Sequence, residues 1–555
     1  MRKSILLLAS LMVSQLLWAQ DNDLPLQHDL YHFIDRIDIR GYTEETLHTD
    51  TKPYSRAYLA DVLKRSYISD MGHRERLWYD RARLLLDDGY AADSMGKGLL
   101  KYFYRNGRDL YHVNEGSFKL FVNPAFRFQL GTENHQYQQD PTNQQLFTNS
   151  RGVALRGSLF NKLGFYTEVY DNQIRHQQFV QNRFNDFRTV YGETTVKLNA
   201  TNATYDYFHV NGYLTYQPHE AVRVKFGHDR SFWGQGFQSL LFSDYAPNHL
   251  MLQIQTRIWK LEYTNYFAQL IDFIPNKPDF LGTHPRKYLA MHLLSYKPVP
   301  WLSVGVFESV IYGSALPNGQ RGFELQYLNP VIFYRAIEQS IGSPDNSMLG
   351  LTGKINIARR GQLYGQLMID DLNISQFSRN SQYWGTKLGI QAGAKLIDVL
   401  GIETLDLQAE YNRIRPHVYQ HFNIASNYTH FGQYLGHNYG GNLQDLSAIL
   451  RYHPLPNWNL YIRYSRLSKG LDQNELNYGG DVRISDQFNR ASDFPALGQG
   501  LSLGISQIYG RLAYQILGTD VYLEAEGRYR VENGISSFQL LGGLRGNLAT
   551  NEARF

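Results

Sequence analysis

The amino-acid sequence predicts an all-β fold: a transmembrane antiparallel β-barrel of about eighteen strands, preceded by a small periplasmic α-helical bundle. Three observations predict it. The chain opens on an export leader. It carries 41 tyrosines and 30 phenylalanines at a mean hydropathy of only −0.42. From Phe118 onward, apolar residues recur at every second position with charges on the positions between. A barrel in the cell outer membrane reconciles the last two, because only alternate residues face lipid and aromatic girdles mark both interfaces.

The leader comes first. Arg2 and Lys3 precede "SILLLASLMVSQLLWAQ", a short apolar run, which reads as a signal peptide over residues 1–19 with Ala19 at the cut site. The run is too short for a comfortable membrane helix, and the polar "QDND" after it supplies no stop-transfer anchor. Cysteine is absent, which excludes disulfides and thiolate metal sites. The 55 basic and 51 acidic side chains nearly balance, so charge gives no argument for nucleic acid as a partner.

Residues 20–115 read as a helical head. In "DLYHFIDRIDIRG", Leu30, Phe33, Ile34 and Ile37 fall at helical spacing and Gly41 stops the helix. "KPYSRAYLADVLKRSYI" offers Ser55 as a cap before Leu59, Val62 and Leu63. "RERLWYDRARLLLDDG" repeats the pattern with Leu77, Leu84 and Leu85, ended by Gly89. A separate bundle, dispensable for barrel integrity, is the expectation.

Residues 116–555 read as the barrel. "VRVKFG" puts Val222, Val224 and Phe226 on one face and Arg223 and Lys225 on the other. "TLDLQAEYN" alternates Leu405, Leu407, Ala409 and Tyr411 with Asp406, Gln408, Glu410 and Asn412. Charges recurring on the inward face mean a polar lumen, whereas a soluble sandwich would bury an apolar one. Short breaks fall at 161–164, 217–221, 257–260, 297–301, 358–361, 397–401, 453–457 and 517–520. Long segments between them, near 131–150, 173–206, 229–248, 271–286, 312–347, 371–384, 413–441 and 468–502, read as outer loops. Segment 323–346 is too apolar to lie in water, so it is expected to fold back into the lumen.

Catalytic constellations are missing. A nucleophilic dyad on one strand, as in outer-membrane phospholipases, needs histidine and serine two apart, and none of the 18 histidines has serine there. His292 and Ser295 are three apart and point to opposite faces. Asp370-Asp371 and Asp87-Asp88 are adjacent, so their side chains diverge, as solvated acids do. No metal spacing, phosphate loop or dinucleotide fingerprint appears.

Two loops hold the candidate site residues. "NYTHFGQYLGHNYGGNLQDL" (427–446) gathers Tyr428, His430, Tyr434, His437 and Tyr439 among glycines. Such rings suit stacking on sugar faces with hydrogen bonds from their polar ends, and equally suit packing on a neighbouring loop. In "DRSFWGQGFQSLLFSDYAPN" (229–248), Phe232, Trp233 and Phe237 are too apolar for an exposed loop, while Gly234 and Gly236 permit a sharp turn. A plug in the barrel mouth, made with Phe333 of the 323–346 segment, is the expectation. Ser243 and Asp244 have no histidine partner in sequence.

The same residues carry a family resemblance. "FGHDRSFWGQGFQSLLFSD" resembles the strand-loop signature of the Wzi-type capsule assembly family of outer-membrane proteins, and "LPLQHDLYHFIDRIDIRG" resembles its helical head. "ELQYLNPVIFYRAIEQSIGSPDN" and "YTHFGQYLGHNYGGN" resemble the Bacteroidetes branch, whose gliding-motility members are called RemB. The resemblance implies a barrel without enzyme activity that attaches surface polysaccharide, or in the gliding branch an adhesin-like surface protein. The implied partners are outer-membrane lipid and surface polysaccharide, with a periplasmic protein docking on the head; no cofactor, no metal and a monomeric chain are expected. An outer-membrane channel for small solutes is the second function class that stays open.

Overall fold

The computed structural model describes residues 22–549 except 44–45, 89–107, 138–141, 161, 202, 274–283, 317–318, 331–332, 342–344, 373, 381 and 517–518. The expected leader and Gly89 lie outside the described residues. Eighteen antiparallel strands close into one barrel. They are β1 (Phe118–His135), β2 (Thr142–Leu159), β3 (Leu163–Arg175), β4 (Thr204–His219), β5 (Val222–Asp229) and β6 (His249–Ile258). Next come β7 (Leu261–Ile271), β8 (Arg286–Val299), β9 (Leu302–Gly313), β10 (Asn346–Ile357), β11 (Gly361–Asp371) and β12 (Lys387–Leu396). The ring ends with β13 (Leu405–Ile414), β14 (Leu443–Tyr452), β15 (Trp458–Leu471), β16 (Leu501–Gln515), β17 (Val521–Glu532) and β18 (Ile535–Gly546). Strand β18 pairs with β1, Ser537 opposite His135 and Gly546 opposite Phe126, and so closes the ring.

All eight short breaks fall at strand-to-strand turns, and strand alternation puts them at one end of the barrel. One expected outer loop is mostly strand. Through 131–150 the two longest strands, β1 and β2, run on as a hairpin of 18 residues each. The last outer connection is a two-residue turn, Asn533 (φ 48°) and Gly534 (φ 86°). Two successive positive φ values match a primed hairpin turn, which asparagine and glycine supply at little steric cost. Ahead of β1, Tyr111–Glu115 already pairs with it, so the sheet begins before residue 116.

Alternation sorts the wall as its period demands. Leu130, Phe208, Phe226, Leu363 and Leu523 are exposed on the outside, whereas Arg223, Lys225, Asp406, Gln408 and Glu410 are buried on the inside. A ring of eighteen strands is too wide for its own inward side chains to fill. The chain fills it from both ends. The largest apolar cluster lies inside the barrel, joining Trp233, Leu240, Leu241 and Phe242 of one loop to Tyr266, Met291, Phe307 and Met348 of the wall and to Tyr419, Tyr428 and Leu435 of another loop.

The short-turn mouth is stoppered by the head, with α1 (Leu30–Arg40), α2 (Arg56–Lys64) and α3 (His73–Leu86). Leu30, Phe33, Ile34, Ile37, Leu59, Val62, Leu63 and Leu85 form its own core. Ser55 caps α2 by accepting from the Tyr58 amide, and Gly41 ends α1 in the left-handed region. Leu77 is exposed, and its neighbour Trp78 is the buried one.

The head is tied to the inner wall rather than held apart from it. Arg36, wholly buried, donates to Asp406 at 2.6 Å, to Asp398 at 2.9 Å and to Glu75. Asp38 sits between Lys297 (2.8 Å) and Lys354 (2.6 Å) of the inner wall. Asp23 takes Arg223 at 2.7 Å and Lys225 at 2.5 Å. Charges on the inward face of the strands therefore anchor the head, and they do so because they are buried with it. Breaking such a pair strands a charge away from water.

Segment 323–346 also differs from expectation: it lies outside the barrel. In β7, Tyr266 points into the luminal cluster, so the adjacent Phe267 points out. Tyr327 and, from the short helix Tyr334–Ile341, Tyr334 and Ile337 pack on Phe267, Tyr288, Ala290, Val310 and Tyr312 of that outer wall. Phe333 is 67% exposed there and is not part of a luminal plug. The physical reason is a polar pair on the membrane side. His292 bonds Glu308 at 2.9 Å, and the Tyr334 ring stacks on His292 with centroids 4.4 Å apart. The strap keeps this pair from bare hydrocarbon, where an uncovered charge is costly.

Candidate functional site

The loop between β5 and β6 enters the lumen and is clamped there. Trp233 has 0% exposure and meets Phe242, Tyr266 and Phe307 edge-on at 5.9–6.1 Å. Its indole NH donates to the Ser231 hydroxyl at 3.0 Å. A Cβ on Gly234 (φ 130°) would strike the Gln366 amide, and one on Gly236 would strike the Glu410 carboxylate. Those two wall residues hold the loop. Gln366 donates to Trp233 O at 2.9 Å and accepts from Leu240 N at 2.8 Å; Glu410 accepts from Phe237 N at 2.7 Å and Gln238 N at 3.0 Å. From below, Thr51 and Lys52 of the head pair with Trp233 and Phe232 as a two-residue ladder. Head and loop thus meet inside the barrel.

The 413–442 loop closes over this one. Tyr419 and Tyr428 donate their hydroxyls to the carbonyls of Leu240 and Leu241, each at 2.7 Å. Ser243 donates its amide to Leu435 O and its hydroxyl to Gly436 O, while Asp244 accepts from Gln27. Ser243 is thus engaged with backbone. The expected surface candidates sit elsewhere than on the surface: Tyr428, His430, Tyr434 and His437 are all buried, and Tyr439 packs half-buried against the luminal cluster. His430 accepts from the Ile271 amide at 3.0 Å, and burial with the neighbouring His249 pushes it well below the usual histidine value. Burial likewise pushes His417 down to about 4. These rings lock loop to loop, because packing was the other use their types allow.

Beside the clamped loop the lumen stays open. A cavity of about 220 Å³ lies between the inner wall of β1–β5, β17 and β18, residues 23–27 of the head, and α4 (Gln178–Phe187) above. That space far exceeds the roughly 10–15 Å³ that one water needs. Tyr166, Tyr170, Tyr207 and Tyr213 face it from the wall, joined by Tyr191 and Tyr245 from loops. Its roof is fixed by an edge-on contact of Phe184 with Tyr205 at 5.1 Å and by the Gln178 amide on Glu133 at 2.8 Å. Polar groups alternate with the rings: Tyr166 donates to Glu168 at 2.7 Å, Tyr170 stacks on His209 at 4.6 Å, and His209 bonds Glu193 at 3.0 Å. Rings flanked by hydrogen-bonding side chains hold a ligand with apolar faces and hydroxyl edges. Sequence reasoning missed this chamber. Its signal was the run "YDYFHVNGY", where Tyr205, Tyr207, His209, Asn211 and Tyr213 share the inward register.

Among the described residues no cluster of three histidine, aspartate or glutamate side chains could hold a metal ion. No curated protein sequence matches the chain. Among solved structures, the barrel is similar to Wzi of Escherichia coli, described as an outer-membrane, carbohydrate-binding β-barrel involved in group 1 capsule assembly. That similarity has a TM-score of 0.57 at 14% identity and covers 96% of this chain and 100% of that one. OccK8 (OprE) of Pseudomonas aeruginosa aligns at 9% identity over 77% of this chain and 98% of its own, with a TM-score of 0.40. The family model for capsule assembly protein Wzi matches residues 144–507, from β2 through the gate loops into β16. A match across well over half its length places this outer-membrane barrel in the Wzi capsule assembly family.

Proposed function

We propose that the protein binds and organises polysaccharide at the cell surface and does no chemistry on it. The observation that carries the reading is the filled lumen: head and gate loops meet at Trp233, leaving a tyrosine-lined chamber to one side. The family's capsule assembly role and the carbohydrate-binding description of the Escherichia coli barrel of the same fold support it. The short-turn end, with the head, faces the periplasm, as in barrels whose outer loops are the long ones. A solute channel needs a polar constriction open to water, and the apolar contact of Trp233 with Phe242 and Phe307 works against one. The quoted likeness of 323–346 and 428–442 to the Bacteroidetes branch makes adhesion during gliding the second version of the same role.

The test is retention. Cells lacking the protein should shed surface polysaccharide into the medium, and the intact chain supplied in trans should restore it to the surface. Unchanged retention, together with no binding of any glycan by the purified protein, would remove the proposal.

A further inference from the structure

Among the described residues the chamber's hydrogen-bonding groups do not balance. Arg528, 4% exposed on β17, lies against the rings of Phe179 and Tyr509 at 5.3 Å each, and its Nε and one terminal nitrogen have no hydrogen-bond partner. The nearby acid is already engaged: Glu526 accepts from Gln129 at 2.7 Å and from the Tyr509 hydroxyl at 3.0 Å. The other carboxylates facing the chamber are held in the same way. Glu168 is held by Tyr166, Glu193 by His209, Asp23 by Arg223 and Lys225, Asp229 by Lys225 and Asn211, and Asp244 by Gln27. A guanidinium buried without a counter-ion is costly, and an incoming anion relieves that cost.

Neutral amides in the same lining are also half-used. Asn172 accepts from Ser150 at 2.6 Å but its NH2 has no partner; Asn211 donates to Asp229 at 3.0 Å but its oxygen has none. Gln539, across the strand pair from Arg528, likewise has an unpartnered oxygen. Asn172 and Gln539 are buried and Asn211 is half-buried. Gln539 adjoins Arg528, whereas Asn172 and Asn211 lie four and five strands further round the wall on β3 and β4. A free acceptor beside a free guanidinium matches a carboxylate next to a hydroxyl. A phosphate would also use the guanidinium, but at neutral pH it carries only one or two hydroxyl donors, fewer than a sugar ring. Tyr170 and Tyr207 supply faces for the apolar side of a sugar ring. Sites for larger ligands span roughly 300–1,000 Å³, so about 220 Å³ suits one ring rather than a chain.

We propose that the chamber holds a single acidic sugar residue of the uronic acid type, with its carboxylate on Arg528 and a hydroxyl on Gln539 opposite it. This rests on the polysaccharide reading above and names the chemistry that the site selects.

Isothermal titration of the purified full chain in detergent tests it, with glucuronate- and galacturonate-containing disaccharides against neutral disaccharides and inorganic phosphate. The uronides should bind, and neutral sugars and phosphate should not compete. Arg528→Gln should weaken uronide binding at least about tenfold, because a charge-assisted pair is lost, and Arg528→Lys should restore part of it. Gln539→Ala keeps the cation and should weaken binding less than Arg528→Gln. Heat-modifiable gel mobility reports whether each variant is folded, and a folded Arg528→Gln with unchanged uronide affinity would overturn the proposal. Equal binding of neutral sugars, or binding of phosphate alone, would overturn it too. Wild-type retention of whole polysaccharide by cells carrying Arg528→Gln would overturn the chamber as the polysaccharide's holding point while leaving the function proposed above intact.

Discussion

Asp38 and the gate histidines set two acid limits of different origin. Burial alone would raise the Asp38 carboxyl, but Lys297 and Lys354 outweigh it and hold the group well below the usual carboxylate range. A lowered folded value means that the contribution is complete above about pH 4 and is lost as acid titrates through the lower folded value. Burial leaves His417 and His430 neutral in the fold. Their unfolded value is about 6.5, so the stability they reflect is whole above that pH and fades below it, for His417 down to about 4. Acid should therefore loosen the loop that carries them. Hydrogen exchange corrected for intrinsic rate should show 415–441 losing protection between pH 6.5 and 4; full protection there at pH 4 would contradict this. His32, in α1, is also held low by burial, so the head is expected to loosen over the same acid range. Asp38→Asn removes one partner of a buried cluster and should cost about 3–5 kcal/mol of stability in denaturant unfolding.

At the scale of elements, the strands were legible in sequence and their partners were not. A period of two with turn residues between marks each strand, so the eight short turns fall as read. The head's helices were legible for the same reason, at a period near 3.6, and Ser55 as a cap follows from its local bond to Tyr58. Where the head docks is another matter. Arg36 and Asp406 stand 370 residues apart, and no local pattern ties them. Segment 323–346 was read as apolar correctly and placed wrongly, since apolarity does not distinguish lumen from lipid. His292 and Glu308 on the outward register were the signal that this wall needs a cover. The candidate rings at 428–439 were legible as aromatic and not as buried, because what they pack on, Leu240 and Leu241, comes from a distant loop. Two measurements belong here. A Phe333→Trp variant in liposomes should be quenched by brominated lipids and little by iodide in water; the reverse would take the strap out of the membrane. Deleting 22–86 should lower the heat-modifiable transition of the barrel sharply, whereas an unchanged transition would restore the separable head.

The whole molecule is a barrel used as a frame rather than as a pipe. Its inward charges anchor chain, its inward tyrosines line a chamber, and its outward face meets lipid except where a strap covers one polar pair. Trp233 is where the two fillings meet, with a ladder to the head on one side and wall and loop aromatics on the other. Truncating so large a buried ring costs about 3–5 kcal/mol and leaves a cavity between the two fillings. Planar-bilayer recording of the purified full chain is the most direct test of the closed frame. The wild-type protein should carry little steady current, and Trp233→Ala with removal of the 22–86 head should open conductance. A large, constant single-channel current from the unmodified protein would contradict the account and return the barrel to solute transport.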